Sequence, residues 1–337
     1  MRPDSAPHPA FEDPSMYARE FAFPDSGPSG DEQDTGEFVT FEELVSRFFE
    51  DEPRKVALVN FAARTDPGKV RPNNEDNYAV TRRLRSRDVL ATSLAHELFP
   101  ANHQVGYAFT VADGMGGQQF GEIASLLALR TGWDLGGGEI KWTLKVNRRE
   151  IEEFKEKARL MFQLIHRTIR AEAQANPRLH GMGTTLTIAY TVGPHLFVIH
   201  AGDSRAYRFR QGKLERLTRD HSLAQTLIDA GQIEAGSPEE RKVRHVLTNS
   251  LGAHYSTVDV DVNHERLATG DRLLLCTDGL TDMVDDGAIA ETLGRHKDPQ
   301  AACDDLLRQA LDRGGRDNIT LIIADFRFED PAEGLLH

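Results

Sequence analysis

The stretch Val111-Ala112-Asp113-Gly114-Met115-Gly116-Gly117 constrains this chain more than any other. It follows the apolar run Tyr107-Ala108-Phe109-Thr110, which reads as a buried strand. The strand ends in a carboxylate, and the glycines after it let the backbone turn sharply and come close to a ligand. Leu273-Leu274-Leu275-Cys276-Thr277-Asp278-Gly279 repeats the arrangement. Arg316-Asp317-Asn318 inverts it, with the aspartate opening the run Ile319-Thr320-Leu321-Ile322-Ile323-Ala324. If that last strand runs antiparallel to the others, all three carboxylates reach one sheet edge. They repel each other unless a positive charge lies among them, and oxygen-rich clusters of this kind suit hard cations such as Mg²⁺ or Mn²⁺.

A chain of 337 residues has room for one large domain or two small ones. It has no apolar run of membrane-spanning length and no signal-peptide pattern, so the expectation is a cytoplasmic protein that does not engage the membrane. Cys276 and Cys303 are too few for a disulfide framework and read as small core residues. The net charge of -13 is uneven: residues 1–54 hold 14 acidic and 4 basic groups, and the remainder is nearly balanced. No basic face suggests nucleic acid as a partner.

Residues 1–36 are rich in Pro, Asp, Glu, Ser and Gly and too poor in apolar groups to offset the entropy of ordering. In residues 37–50, Phe38, Phe41, Leu44, Val45, Phe48 and Phe49 recur at helical spacing behind a Thr40/Glu43 capping box, giving an amphipathic helix over 40–50. Its bland reading is packing on its own domain; the sharper one is docking to a partner. A catalytic domain is expected over 55–328, with a short tail at 329–337. Within it, strands are expected at 55–63, 78–80, 183–191, 196–200, 205–210, 214–217, 257–262 and 272–276. Helices are expected at 122–131, 148–175 and 299–312, with a glycine linker at 136–138. Residues 82–104 read as an insertion carrying a basic run, Arg82 to Arg87, that is ordinarily a solvated surface. Residues 218–252 break the strand rhythm and read as a lid. The pattern predicts an α+β protein of antiparallel sheets covered by helices.

Six segments then fall in one order: Arg71-Pro72-Asn73-Asn74-Glu75-Asp76, Asp113-Gly114-Met115-Gly116-Gly117, Gly181-Met182-Gly183-Thr184-Thr185, Gly202-Asp203-Ser204-Arg205, Cys276-Thr277-Asp278-Gly279-Leu280 and Asp317-Asn318. Together they resemble the bacterial form of the type-2C, or PPM-family, metal-dependent Ser/Thr protein phosphatases, over about residues 55–326. The resemblance implies a four-layer α-β-β-α sandwich of two antiparallel sheets flanked by helices. It implies hydrolysis of phosphoserine and phosphothreonine by water bridging two Mn²⁺ or Mg²⁺ ions, without a phosphoenzyme. By the same resemblance, Asp113 bridges both metals, Asp278 and Asp317 complete one, and Glu75 with the Gly114 carbonyl serves the other. Asp76 orients the water, and Arg71 grips the substrate phosphate with its planar fork. The implied partners are phosphorylated proteins made by a bacterial Ser/Thr kinase, and the implied state is a monomer.

Two departures matter. Animal-type members carry His where Met115 stands, and a thioether cannot donate a proton to the leaving alkoxide. Many bacterial members also place an acid before the Gly-Met-Gly-Thr-Thr motif; here that segment is Asn176-Pro177-Arg178-Leu179-His180, so a third metal is expected to be weak or absent. Asp203 reads as a turn former and His221 as a surface residue. A phospho-binding module without turnover, or a phosphatase for small phosphate esters, stays open as an alternative.

Overall fold

A computed structural model describes residues 56–87, 89–93, 102–116, 120–138, 148–253 and 255–329, all inside one compact unit, residues 51–337. The acidic extension, its amphipathic helix and residues 330–337 lie outside the described residues.

The chain runs through β1 (Val56–Asp66), β2 (Asp76–Arg87), β3 (Asn102–Met115), α1 (Gly121–Gly138) and α2 (Arg148–Ala175). It continues with β4 (Gly183–Thr184), β5 (Leu186–Val192), β6 (His195–Ala201), β7 (Arg205–Arg210), β8 (Lys213–Arg216), α3 (Leu223–Asp229), α4 (Pro238–Val243), β9 (Leu251–Gly252) and β10 (Asp261–Arg266). It closes with β11 (Arg272–Cys276), the single turn α5 (Asp278–Thr281), α6 (Asp286–Arg295), α7 (Pro299–Asp312) and β12 (Ile319–Glu329). Among the described residues, five strands form one antiparallel sheet in the order β1-β12-β11-β7-β8. Seven form the other, in the order β10-β6-β5-β3-β4-β9, with β2 paired to β3.

Strand alternation explains why these sheets stack. On β12, Ile322, Ala324 and Phe326 face one core and Ile319, Leu321 and Ile323 face another. On β6, Leu196 and Val198 join the first of these cores, while Phe197, Ile199 and Ala201 face a third. A period of two places successive side chains on opposite faces, so a strand apolar at every position is covered on both sides. The shared core lies between the sheets; α6 and α7 cover the five-stranded sheet, and α1 and α2 cover the seven-stranded one. This is the four-layer α-β-β-α arrangement. Cys276 and Cys303 are buried free thiols in the core under α6 and α7.

The stripe on α2 buries Ala158, Met161, Phe162, Ile165 and Ile169, and full burial of each large side chain contributes about 1.5–3 kcal/mol. Asn176 and Pro177 end that helix, and Asn176 accepts the Arg178 N–H to start a short 3₁₀ turn. Three expectations shift. Gly136-Gly137-Gly138 continues α1 rather than linking out of it, and Arg83 donates to the Gly136 carbonyl. The strand expected at 257–262 forms at Asp261–Arg266, where β6 supplies backbone partners; Val258 is instead buried against the α2 core. Residues 82–87 and 102–104 prolong β2 and β3, paired from Arg82↔Tyr107 to Arg87↔Asn102. No helix among the described residues is long and apolar enough to cross a membrane.

Candidate active site

One end of the sandwich opens into a cleft of about 1170 Å³. Arg71, Asn73, Glu75, Asp113, Gly114, Asp278 and Asp317 line it, as do His245, Leu247 and Ser250 of the segment expected as a lid and Tyr255 just beyond it. The three aspartates do not share a sheet. Asp113 sits near the end of β3 in the seven-stranded sheet. Asp278 follows β11, and Asp317 precedes β12, its antiparallel neighbour in the other sheet. The antiparallel inference holds for the last two, and sheet stacking brings in the first.

Asp113 is fixed through its backbone. Its N–H donates to Thr185 Oγ1 at 2.9 Å, and its carbonyl accepts from the Thr185 N–H and from Thr184 Oγ1, each at 2.9 Å. The Gly-Met-Gly-Thr-Thr motif thus clamps the carboxylate-bearing strand end. Asp76 lies directly across the ladder from Asp113. Thr277 Oγ1 donates to Asp76 Oδ2 at 2.8 Å, and Asp76 Oδ1 is buried without a partner. Asn318 ties the loop before Asp76 to the start of β12: its Oδ1 accepts the Glu75 N–H at 2.8 Å, and its Nδ2 donates to the carbonyls of Pro67 and Asn73.

Two glycines make the approach possible. A Cβ on Gly114 would sit 2.2 Å from the Gly121 carbonyl oxygen and 2.6 Å from that of Glu75. A Cβ on Gly279 would sit 1.9 Å from the Asn318 carbonyl oxygen.

The electrostatics are one-sided. Burial, followed by the charges of Asp76, Asp278 and Asp203, pushes the Asp113 carboxyl well above its ordinary range. Burial, followed by Asp203 and Asp282, does the same to Asp278. Burial lifts Asp76 to about 7, against the hydrogen bond from Thr277. Glu75 is raised as well, by burial. At the rim, Arg71 Nη2 donates to Asp317 Oδ2 at 2.6 Å, and this bond lifts the guanidinium further above its usual range. Arg244, at the end of α4, pairs with Asp282 at 3.0 Å.

These groups fit hard cations in donor chemistry: they are carboxylate and carbonyl oxygens, and Asp278 Oδ1 is buried with no partner. Among the described residues no three acidic, imidazole or thiol groups enclose a position by themselves. A cation held here would need backbone carbonyl and solvent oxygens as well.

Two residues are placed differently from the sequence reading. His221 is not a surface residue. Its Nδ1 faces the Gly202 N–H and Asn249 Nδ2, and its Nε2 lies 3.1 Å from Asp261 Oδ2, pinning the lid segment to the β6–β7 turn. Asp203 does lie in a turn, but its carboxylate is 8% exposed and lines the cleft. Nothing in Gly-Asp-Ser-Arg as a turn motif signals that burial. It follows from contacts between β5 and β7. Gly117 lies outside the described residues.

The sequence matches the family described as Protein phosphatase 2C over residues 97–313. It is 33% identical over 276 residues to the serine/threonine protein phosphatase PstP of Mycobacterium tuberculosis, covering 81% of this chain and 46% of the relative. The chain thus aligns with about half the length of that relative. It is 31% identical over 262 residues to the serine/threonine phosphatase stp of Listeria innocua, covering 78% of this chain and 94% of the relative. The crystal structure of the PstP catalytic domain in complex with two manganese ions superposes with a TM-score of 0.62 at 32% identity, covering 80% of this chain and 99% of that one. Staphylococcus aureus Stp1 superposes with a TM-score of 0.66 at 28% identity, over 80% of this chain and 96% of that one. With two stacked antiparallel sheets flanked by helices in agreement with these matches, the chain belongs to the protein phosphatase 2C family.

Proposed function

We propose that this protein is a metal-dependent phosphoprotein phosphatase that hydrolyses phosphoserine and phosphothreonine, the products of a Ser/Thr kinase. The observation that carries the reading is the meeting of Asp113 and Asp278, from two different sheets, in one cleft where Asp278 Oδ1 is buried with no partner and Arg71 stands at the rim. Relatives named as Ser/Thr phosphatases, and a catalytic domain solved with two manganese ions, support it.

Asp113, Asp278, Asp317, Glu75 and the Gly114 carbonyl are the groups that would hold two Mn²⁺ or Mg²⁺ ions. When bound, these supply positive charge that offsets the phosphoryl oxygens and acidifies water near neutral pH. Arg71 is exposed enough to meet the phosphate and offers a bidentate fork. Asp76 orients the attacking water: Thr277 occupies Oδ2, which leaves Oδ1 to accept its hydrogen bond. The new P–O bond forms to water, the bond to the Ser or Thr oxygen breaks, and inorganic phosphate and the free hydroxyl result. Neither cysteine is available as a nucleophile, since burial pushes both thiols up to about 12.

The test is hydrolysis of a phosphothreonine peptide by metal-stripped protein supplied with Mn²⁺, Mg²⁺ or EDTA, beside Asp278→Asn. Turnover is expected only with added cation and is expected to fall at least about 10³-fold in the variant, the scale of losing charge stabilisation in the transition state. Folded protein that binds Mn²⁺ without turnover would make it a phospho-binding module instead.

A further inference from the structure

We propose that Asp203 is a positioning residue of this centre, whose carboxylate supplies part of the negative charge that holds a divalent cation against Asp278. The proposal rests on the metal-dependent reading above and extends it to a residue outside the expected ligand set.

A turn aspartate ordinarily leaves its carboxylate in solvent or hydrogen-bonds the backbone two residues on. Gly202, at φ 121°, makes this turn. Asp203 instead points a 92%-buried carboxylate into the cleft that Asp113 and Asp278 line. No side chain among the described residues donates a hydrogen bond to that carboxylate. The nearest cation in sequence, Arg205, already forks onto Asp220, with Nε 3.1 Å from Oδ1 and Nη2 2.6 Å from Oδ2. Across the cleft, Asp278 Oδ1 is buried without a partner. Two buried, under-compensated carboxylates facing one space is a costly arrangement unless a cation offsets them.

The carboxylate cannot easily swing away. Ser204 Oγ lies 2.8 Å from Thr185 Oγ1, the same atom that accepts the Asp113 N–H. The Gly202 carbonyl accepts the His221 N–H at 2.7 Å, and the Gly202 N–H reaches His221 Nδ1 at 3.2 Å. One hydrogen-bond chain therefore sets Asp203 and Asp113 relative to each other. After burial, Asp203 is the charge that weighs most on Asp278. Asp203 is placed to act through its neighbour's cation and has no assigned contact with the phosphoryl group.

The experiment uses the full chain, stripped of metal, as wild type, Asp203→Asn and Asp203→Glu. Mn²⁺ binding is measured by calorimetry and the metal-free melting temperature by circular dichroism. Removing the charge is expected to weaken the tighter-binding step about tenfold or more, in the range seen for groups that orient metal ligands. It is expected to raise the metal-free melting temperature by about 2–4 °C, because repulsion is relieved. Asp203→Glu is expected to recover part of the Mn²⁺ affinity. An aspartate that only shapes the turn would behave oppositely: Asp203→Asn would melt at or below wild type and bind Mn²⁺ unchanged. That result, with wild type still binding Mn²⁺ and hydrolysing phosphopeptide, overturns the role of Asp203 and leaves the function standing. A wild type that neither binds Mn²⁺ nor turns over overturns both.

Discussion

Arg71 Nη2 lies 2.6 Å from Asp317 Oδ2, so the expected phosphate-binding arginine and an expected cation-binding carboxylate satisfy each other. A cation at Asp317 competes for the same oxygen and frees the guanidinium for substrate. The pair is half exposed, at 55% and 36%, so breaking it costs only about 0.5–1 kcal/mol. Arg71→Ala is therefore expected to bind Mn²⁺ about two- to fivefold more tightly while losing turnover on phosphopeptide. Calorimetry and steady-state kinetics on one preparation check this. Weaker Mn²⁺ binding in the variant would show that the pair does not compete with the metal.

The metal-free protein is expected to lose stability as pH rises. Asp76 and Asp203 ionise near 4 in an unfolded chain but are lifted to about 7 here, chiefly by burial, and burial raises Asp113 and Asp278 well above their ordinary range too. Between those limits the folded form holds more protons than the unfolded one, so stability is full below about pH 4 for these groups and declines through about pH 7. Melting temperatures of stripped protein are expected to fall from pH 5 to 8, and saturating Mn²⁺ is expected to flatten the slope. A metal-free melting temperature that rises over this range would contradict the repulsion described at the site.

Gly279→Ala is expected to be among the most damaging single-methyl changes in the chain. The added carbon would meet a backbone oxygen at 1.9 Å, so either α5 or the Asn318 loop must move. Asn318 also holds Glu75, Pro67 and Asn73, and the displacement therefore spreads to the loop before Asp76. The cost is expected at about 3 kcal/mol or more, the upper range for overpacking, with Mn²⁺ binding lost alongside. Chemical denaturation of wild type and variant measures it.

Much of this was legible in the chain because the relevant signals are local. The stripe on α2 repeats at helical spacing over 28 residues, and its ends at Arg148 and Ala175 coincide with the expectation. Strands β7 and β11 also match, bounded by turn residues on both sides. The order of the aspartate landmarks pointed to one cleft. What local pattern does not hold is which sheet each aspartate belongs to, since that depends on pairing between strands distant in the chain. The same reason hid Asp203 and His221. Both look like turn and lid residues in sequence, and only the Thr185–Ser204 and Gly202–His221 contacts bury them. The strand at 257–262 slid because alternating valines satisfy the eye without a ladder partner; β6 offers its backbone to residues 261–266.

The position of β12 has a consequence for how the molecule comes into being. In the five-stranded sheet β12 lies between β1 and β11, which do not pair with each other. Among the described strands, β1 thus has no ladder partner until β12 emerges from the ribosome. At about 5–20 residues per second, that wait lasts on the order of tens of seconds. During it the cleft lacks both Asp317 and the Asn318 staple that holds Glu75 in place. A nascent chain can hold much of the seven-stranded sheet before the proposed centre is complete, so on that proposal the centre is finished in one step, with the closing strand.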